Sequence, residues 1–301
     1  MAKPRQMLRE SAYMATRRTT QQQFLLKPDQ RTNNDIIYCI AVCSQRHHID
    51  VIDFKALSDH LHQVLFDRRG NVPAYLRDVN GLIAKIFNAR YGRWENLWAS
   101  GQGSLVRLED TEDLIDRIVY VATNAVRHGL VERAHEWPGA RGFAALLSGK
   151  PLKATRPKSF LSKRNKKWPD KVKLHLRIPP ELGDHETIMQ AVLPRIAAAE
   201  RHYAHELALT GKPVVGRYRI LRASHNDRAK TRATRRNLNP TIGAKDTPKR
   251  LMAIQRKRDF QKAYREALLA YRAGTPIPFP AGTYWLALHL NVPVAPIEKI
   301  G

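Results

Sequence analysis

Between residues 10 and 130 the apolar residues switch repeatedly between a period of two and a period of three to four. That switching marks strands alternating with amphipathic helices. Residues 10–20 (ESAYMATRRTT) are rich in β-branched and aromatic types and read as a strand. Pro28 and Asp29 open a helix that runs to about His47. Residues 49–57 and 59–67 read as two strands, the second ended by Arg69-Gly70-Asn71. Pro73 starts a helix that reaches Tyr91 and stops at Gly92. Residues 103–109 form a further strand, and Asp110 or Thr111 caps a helix that runs to about Arg127. The order β-α-β-β-α-β-α predicts an α+β fold of ferredoxin-like type, with a mainly antiparallel sheet covered by helices.

Charge divides the chain. The net charge is +25, of which the first 150 residues carry +5 and the last 151 carry +20. So dense a positive charge calls for a polyanionic partner, because Lys and Arg that neutralise phosphates release condensed counterions. No apolar run approaches the roughly 18 residues of a membrane helix, and no basic amphipathic helix with aromatic residues points to a lipid surface. A nucleic acid is therefore the expected partner, with no membrane. The N-terminus lacks the apolar centre of a secretory signal, so an intracellular protein is expected. Cys39 and Cys43 lie four apart with no further soft ligands and read as buried thiols.

Two units are expected: residues 1–148 as the α+β domain, and residues 149–301 as a basic, largely helical accessory DNA-binding region, partly disordered. Within the second, 171–178 reads as a short strand. Helices are expected at about 186–209, bent or split at Pro194, and at 248–273. Residues 222–250 are basic and turn-rich, and 279–290 (FPAGTYWLALHL) reads as a strand.

Two local patterns carry chemistry. In Asp59-His60-Leu61-His62 the histidines sit two apart on a predicted strand, so both rings share a face and can meet one divalent ion. Taken alone, such a pair is more often a hydrogen-bonded surface feature of a chain with 12 histidines. On the helix 111–127, Tyr120 and Asn124 lie one turn apart on one face. Taken alone, Tyr120 reads as a core aromatic and Asn124 as a surface or helix-end residue.

Taken together, these patterns resemble a family. MLRESAYMATRRTTQQQF (7–24), LSDHLHQVLFD (57–67), Val79-Asn80-Gly81, GRWENLW (92–98), IVYVATNAVRHGLV (118–131) and Glu136-Trp137-Pro138 follow the order of motifs in the REP-associated group of single-tyrosine HUH transposases. The resemblance covers about residues 7–145. It implies an HUH domain with Tyr120 as nucleophile, and His60, His62 and Asn124 around Mg²⁺ or Mn²⁺. It further implies cleavage and rejoining of single-stranded, hairpin-bearing DNA through a 5′-phosphotyrosine, in a bacterial, nucleoid-associated cytoplasmic protein. The alternative is a catalytically silent, domesticated DNA-binding protein on the same fold. The family includes monomers and homodimers, and the sequence leaves the assembly open between them. An HUH replication nickase is a weaker reading, since there is no P-loop for a helicase domain.

Three positions depart from the family pattern. Asp59 stands for Asn, Gln63 for an apolar residue and Ala125 for Pro. Asp59 and Gln63 are expected to tune the metal site and Ala125 only the course of the helix. DNA contacts are expected from Arg17, Arg18, Arg90, Arg93 and Trp94, and from Lys163, Arg164, Lys166, Lys167, Arg232, Arg235 and Arg236 of the basic region. Trp94 and Trp98 can stack on unpaired bases, though core packing is the usual fate of tryptophan.

Overall fold

The computed structural model describes residues 4–101, 103–162, 164–230, 240–275 and 277–296. Its first half contains β1 (Ser11–Arg18), α1 (Gln30–His47), β2 (Ile49–Ala56), β3 (His60–Asp67), α2 (Val72–Tyr91), β4 (Ser104–Leu108) and α3 (Thr111–Arg127). Local chemistry sets the helix ends. Asp29 caps α1 by accepting from the Thr32 amide at 2.6 Å, and Asp110 caps α3 by accepting from the Asp113 amide at 2.9 Å. Gly92 ends α2 in the left-handed region, with φ of 61°.

The second half contains α4 (Phe143–Ser148), β5 (Leu152–Thr155), β6 (Lys171–Leu174), α5 (His185–Leu209), α6 (Gly216–Arg222), β7 (Ile242–Gly243), α7 (Thr247–Arg272) and α8 (Trp285–Leu290). Pro194 lies inside α5 without splitting it. β5 and β6 form an antiparallel pair of their own.

The larger sheet has the order β2-β3-β1-β4-β7. Its first four strands are antiparallel, and β7 joins β4 in parallel, so the sheet is mixed. Two contacts tell its faces apart. Tyr75 of α2 donates to Gln63 of β3 at 2.5 Å, whereas Lys55 of β2 donates to the Ala122 carbonyl of α3. Alternation along β3 therefore turns Leu61 and Gln63 toward α2, and His60 and His62 toward α3.

The apolar core does not stop near residue 148. Ala154, Val172, Leu174, Val192 and Ile196 belong to the same buried cluster as the sheet. β7 adds a strand from residues beyond 240. The two expected units thus share a core and a sheet, because the strand edge at β4 and the outer face of α3 both needed covering. Residues 279–290 depart from expectation: Phe279 makes one isolated bridge to Val294, and 285–290 is the helix α8. Pro280 and Gly282 interrupt any strand, and Leu-Ala-Leu is good helix-forming sequence. Phe279, Leu286 and Val292 then close over Ala267 of α7 as a small separate cluster. Cys39 and Cys43 are buried and unpaired, and burial pushes the Cys43 thiol up to about 12. Among the described residues no helix is long and apolar enough to cross a membrane.

Candidate active site

β3 begins at His60, so both histidines stand at the end of a strand near the middle of the sheet. Leu61 between them is fully buried on the other face. The two rings meet edge to face, with centroids 4.6 Å apart. Each uses Nδ1 locally. His60 Nδ1 donates to Asp59 Oδ1 at 2.6 Å, and His62 Nδ1 lies 2.8 Å from Thr16 Oγ1 on the paired strand β1. A carboxylate can only accept, which puts a proton on His60 Nδ1 and turns Nε2 to the other side of the ring. Nε2 of His62 is buried and has no hydrogen-bond partner.

From α3 and its C-terminal cap a stripe of three residues, spaced four apart, faces these rings. The Tyr120 ring lies 5.5 Å from the His62 ring, edge to face. Two turns on, the ring of His128 lies 6.4 Å from that of His60. Asn124 sits between them on the same face of the helix. It is fully buried, yet neither its Oδ1 nor its Nδ2 has a partner. An unpaired buried amide costs about 1–3 kcal/mol, so its position calls for a ligand. Arg127 completes the surroundings, with its guanidinium 5.6 Å from the centre of the Tyr120 ring.

The electrostatics favour the neutral forms of His62 and His128. Burial lowers His62 well below its usual range, and His60, His128, Lys55 and Arg18 push the same way. His128 is lowered by burial and then by His60 and Arg127. A neutral imidazole is the form that binds a metal. Lys55, directly opposite His62 on β2, is buried; burial brings it down to about 8, and burial raises Asp53 to about 7.

These donors fit a divalent cation on three observations: a buried, unpartnered His62 Nε2, an unpaired Asn124 amide, and an Asp59 carboxylate orienting the neighbouring His60 imidazole. The set holds two imidazoles and one amide. Among the described residues no group of three or more His, Cys, Asp or Glu is arranged to hold a metal. Such a mixed N/O set suits Mn²⁺ well and Mg²⁺ less well.

Gln63 does not tune this site, because it points to the opposite face and bonds Tyr75. Ala125 packs in a buried cluster with Leu57, Val126 and Trp137. Among the expected DNA contacts, Arg18 is exposed and pairs in register with His60, which sets it on the site's own face. Arg17 points the other way and donates to the Ala99 and Gly101 carbonyls at 3.1 and 2.6 Å. Arg90 is a correction: it is buried, donates to Asp35 and Thr32, and ties α2 to α1. Arg93 is half-buried, Trp94 is 99% exposed, and Trp98 is a core residue whose Nε1 donates to the Asn80 carbonyl. Arg164, Lys166 and Lys167 are exposed. Lys163, Arg232, Arg235 and Arg236 lie outside the described residues.

Sequence reasoning missed His128, Thr16 and Lys55. The first had a signal, the repeat of four from Tyr120 through Asn124. Thr16 and Lys55 had none, since only strand pairing brings them to His62.

No family model matches this chain, and no curated protein does. Two solved structures are similar to part of it. One is a REP-associated tyrosine transposase bound to a REP hairpin, 16% identical, covering 49% of this chain and 86% of that one, with a TM-score of 0.42. The other is described as a transposase from Deinococcus radiodurans R1, 14% identical, covering 40% of this chain and 95% of that one, with a TM-score of 0.29.

Proposed function

We propose that this chain cleaves and rejoins single-stranded DNA as an HUH-type, single-tyrosine transposase on a ferredoxin-like sheet. One observation carries the reading: the edge-to-face contact of the His62 and Tyr120 rings, 5.5 Å apart, with His60 beside them. A core tyrosine has no need of two imidazoles, one with a buried, unpartnered Nε2, nor of an unpaired buried Asn124 one turn away.

In the proposed reaction Tyr120 Oη attacks a backbone phosphorus. The P–O3′ bond breaks, the phenol loses its proton, and the departing 3′ oxygen gains one. The DNA is left joined to Tyr120 through its 5′ phosphate. Because that bond conserves the phosphodiester energy, a second 3′-hydroxyl can reverse the step without a nucleotide cofactor. His60 and His62 through Nε2, and Asn124 through Oδ1, would hold Mg²⁺ or Mn²⁺. The bound ion supplies charge neutralisation at a non-bridging phosphate oxygen. Arg18 reaches the same face of the sheet and binds substrate phosphate. Residues beyond about 148, with most of the net charge, supply further grip on a folded or unpaired strand. Such a substrate assigns the protein to the DNA-bearing cytoplasm of a bacterium.

The test is incubation with single-stranded hairpin DNA and Mn²⁺, followed by denaturing electrophoresis. The wild type is expected to form a covalent protein–DNA species and Tyr120→Phe to form none. A Tyr120→Phe protein that still forms it removes the assignment.

A further inference from the structure

A cleft of about 240 Å³ opens beside Tyr120, toward the N-terminal end of α3 at Arg117. Its floor is the α3 face of the sheet, where Met14 and Thr16 of β1 pair in register with Val106 and Ser104 of β4. One wall is α3, through Arg117 and Tyr120, three apart and hence on one face. The opposite wall is Pro240 with the backbone of Ile242, brought there by the parallel pairing of β7 with β4; the Ile242 side chain, in register with Arg107, leaves on the other face.

The Tyr120 ring therefore divides two environments. On one side stand the imidazoles and Asn124, on the other the cleft. Thr16 links them, since its hydroxyl also holds His62 Nδ1. The cleft is apolar at Met14, Val106 and Pro240, and carries hydroxyls at Thr16 and Ser104. Arg117 stands at its side with a buried Nε that has no hydrogen-bond partner. Apolar surfaces with a neighbouring guanidinium suit a flat ring that carries a phosphate. The volume falls below the roughly 300–1,000 Å³ of sites that enclose drug-sized ligands, which leaves room for one base and not a stacked pair.

We propose that this cleft seats one unpaired base of single-stranded DNA, that of the nucleotide adjoining the phosphate attacked by Tyr120, with Arg117 on its phosphate. The proposal rests on Tyr120 being the nucleophile. It gives the C-terminal half of the chain a part in the substrate site itself, because Pro240 and the Ile242 backbone form a wall against the base.

The test uses the full chain, ultraviolet crosslinking to a short oligothymidylate, and mass spectrometry of the crosslinked peptides. The wild type is expected to crosslink within peptides bearing Met14–Thr16, Ser104–Val106 or Ile242. Ser104→Trp fills the cleft from its floor and is expected to lose those crosslinks while keeping any at Arg164–Lys167. Arg117→Ala removes no core volume and keeps the test valid if the tryptophan variant fails to fold. It is expected to weaken oligothymidylate binding roughly tenfold. Wild-type crosslinks confined to the basic segments, or unchanged binding by Arg117→Ala, would overturn the cleft. A clear preference for oligouridylate would overturn its assignment to DNA. Unirradiated samples with Mn²⁺ report the nucleophile separately: a Tyr120 adduct without cleft crosslinks sinks the cleft alone, and cleft crosslinks without an adduct sink the nucleophile alone.

Discussion

Asp59 Oδ1 accepts a 2.6 Å hydrogen bond from His60 Nδ1, and so fixes the orientation of the His60 ring. Carboxylates placed behind an imidazole in this way raise its basicity and fix its ring. Asp59→Ala is therefore expected to weaken Mn²⁺ binding about 10–100-fold, measured by calorimetry, with no loss of secondary structure. Unchanged affinity would mean that Asp59 does not orient the ligand.

Asn124 offers a sharper contrast. Its buried, unpaired amide is a burden on the fold unless something binds it. Asn124→Leu is expected to stabilise the metal-free protein by about 1–3 kcal/mol while weakening Mn²⁺ binding. Thermal unfolding and metal titration on the same samples check both halves. Destabilisation would show that the amide has a structural partner instead.

Lys55 and Asp53 are both buried on β2 beside the site and feel each other's charge, with Lys55 Nζ bonded to the Ala122 carbonyl of α3. Lys55→Met alone strips the Ala122 carbonyl of its donor and the Asp53 carboxyl of a nearby cation, and is expected to cost about 1–3 kcal/mol. Adding Asp53→Asn should recover the part owed to the carboxyl. The pH dependence has a definite sign. Asp53 is raised to about 7, so its share of stability is full in acid and lost as pH rises to about 7. Lys55 is lowered to about 8, so its share is full in strong base and lost as pH falls to about 8. The double variant should flatten the unfolding temperature across both windows.

Much of this was legible in the sequence because it is local. Asp29 and Asp110 cap their helices, and the H-x-H alternation and the Tyr120–Asn124 turn depend only on nearby residues. What escaped is long-range. Two residues at Ile242–Gly243 have no strand signature of their own and are a strand only because β4 offers a free edge. Arg90 looked like a phosphate ligand until Asp35, 55 residues earlier, accounted for its charge. Composition misled at 279–290, where aromatic and aliphatic residues close a small helical cluster.

Arg90 and Arg18 should now separate cleanly. Arg90→Ala breaks a buried ion pair and is expected to cost about 3–5 kcal/mol of stability, seen in denaturant unfolding. Arg18→Ala is expected to leave stability within about 0.5 kcal/mol and weaken single-stranded DNA binding, lowering the salt slope by about 1. Affinity of the wild type should fall steeply with salt, and a flat dependence would contradict phosphate contacts by the basic half of the chain.

The most direct measurement is peptide mass spectrometry of the full chain after incubation with single-stranded hairpin DNA and Mn²⁺, then nuclease and protease digestion. The expected result is a nucleotide-5′-phosphate on the peptide bearing Tyr120, lost when His62 is replaced by Ala. A nucleotide on any other residue, or an unmodified Tyr120 peptide under conditions that cut the DNA, would contradict the assignment of Tyr120 as the nucleophile.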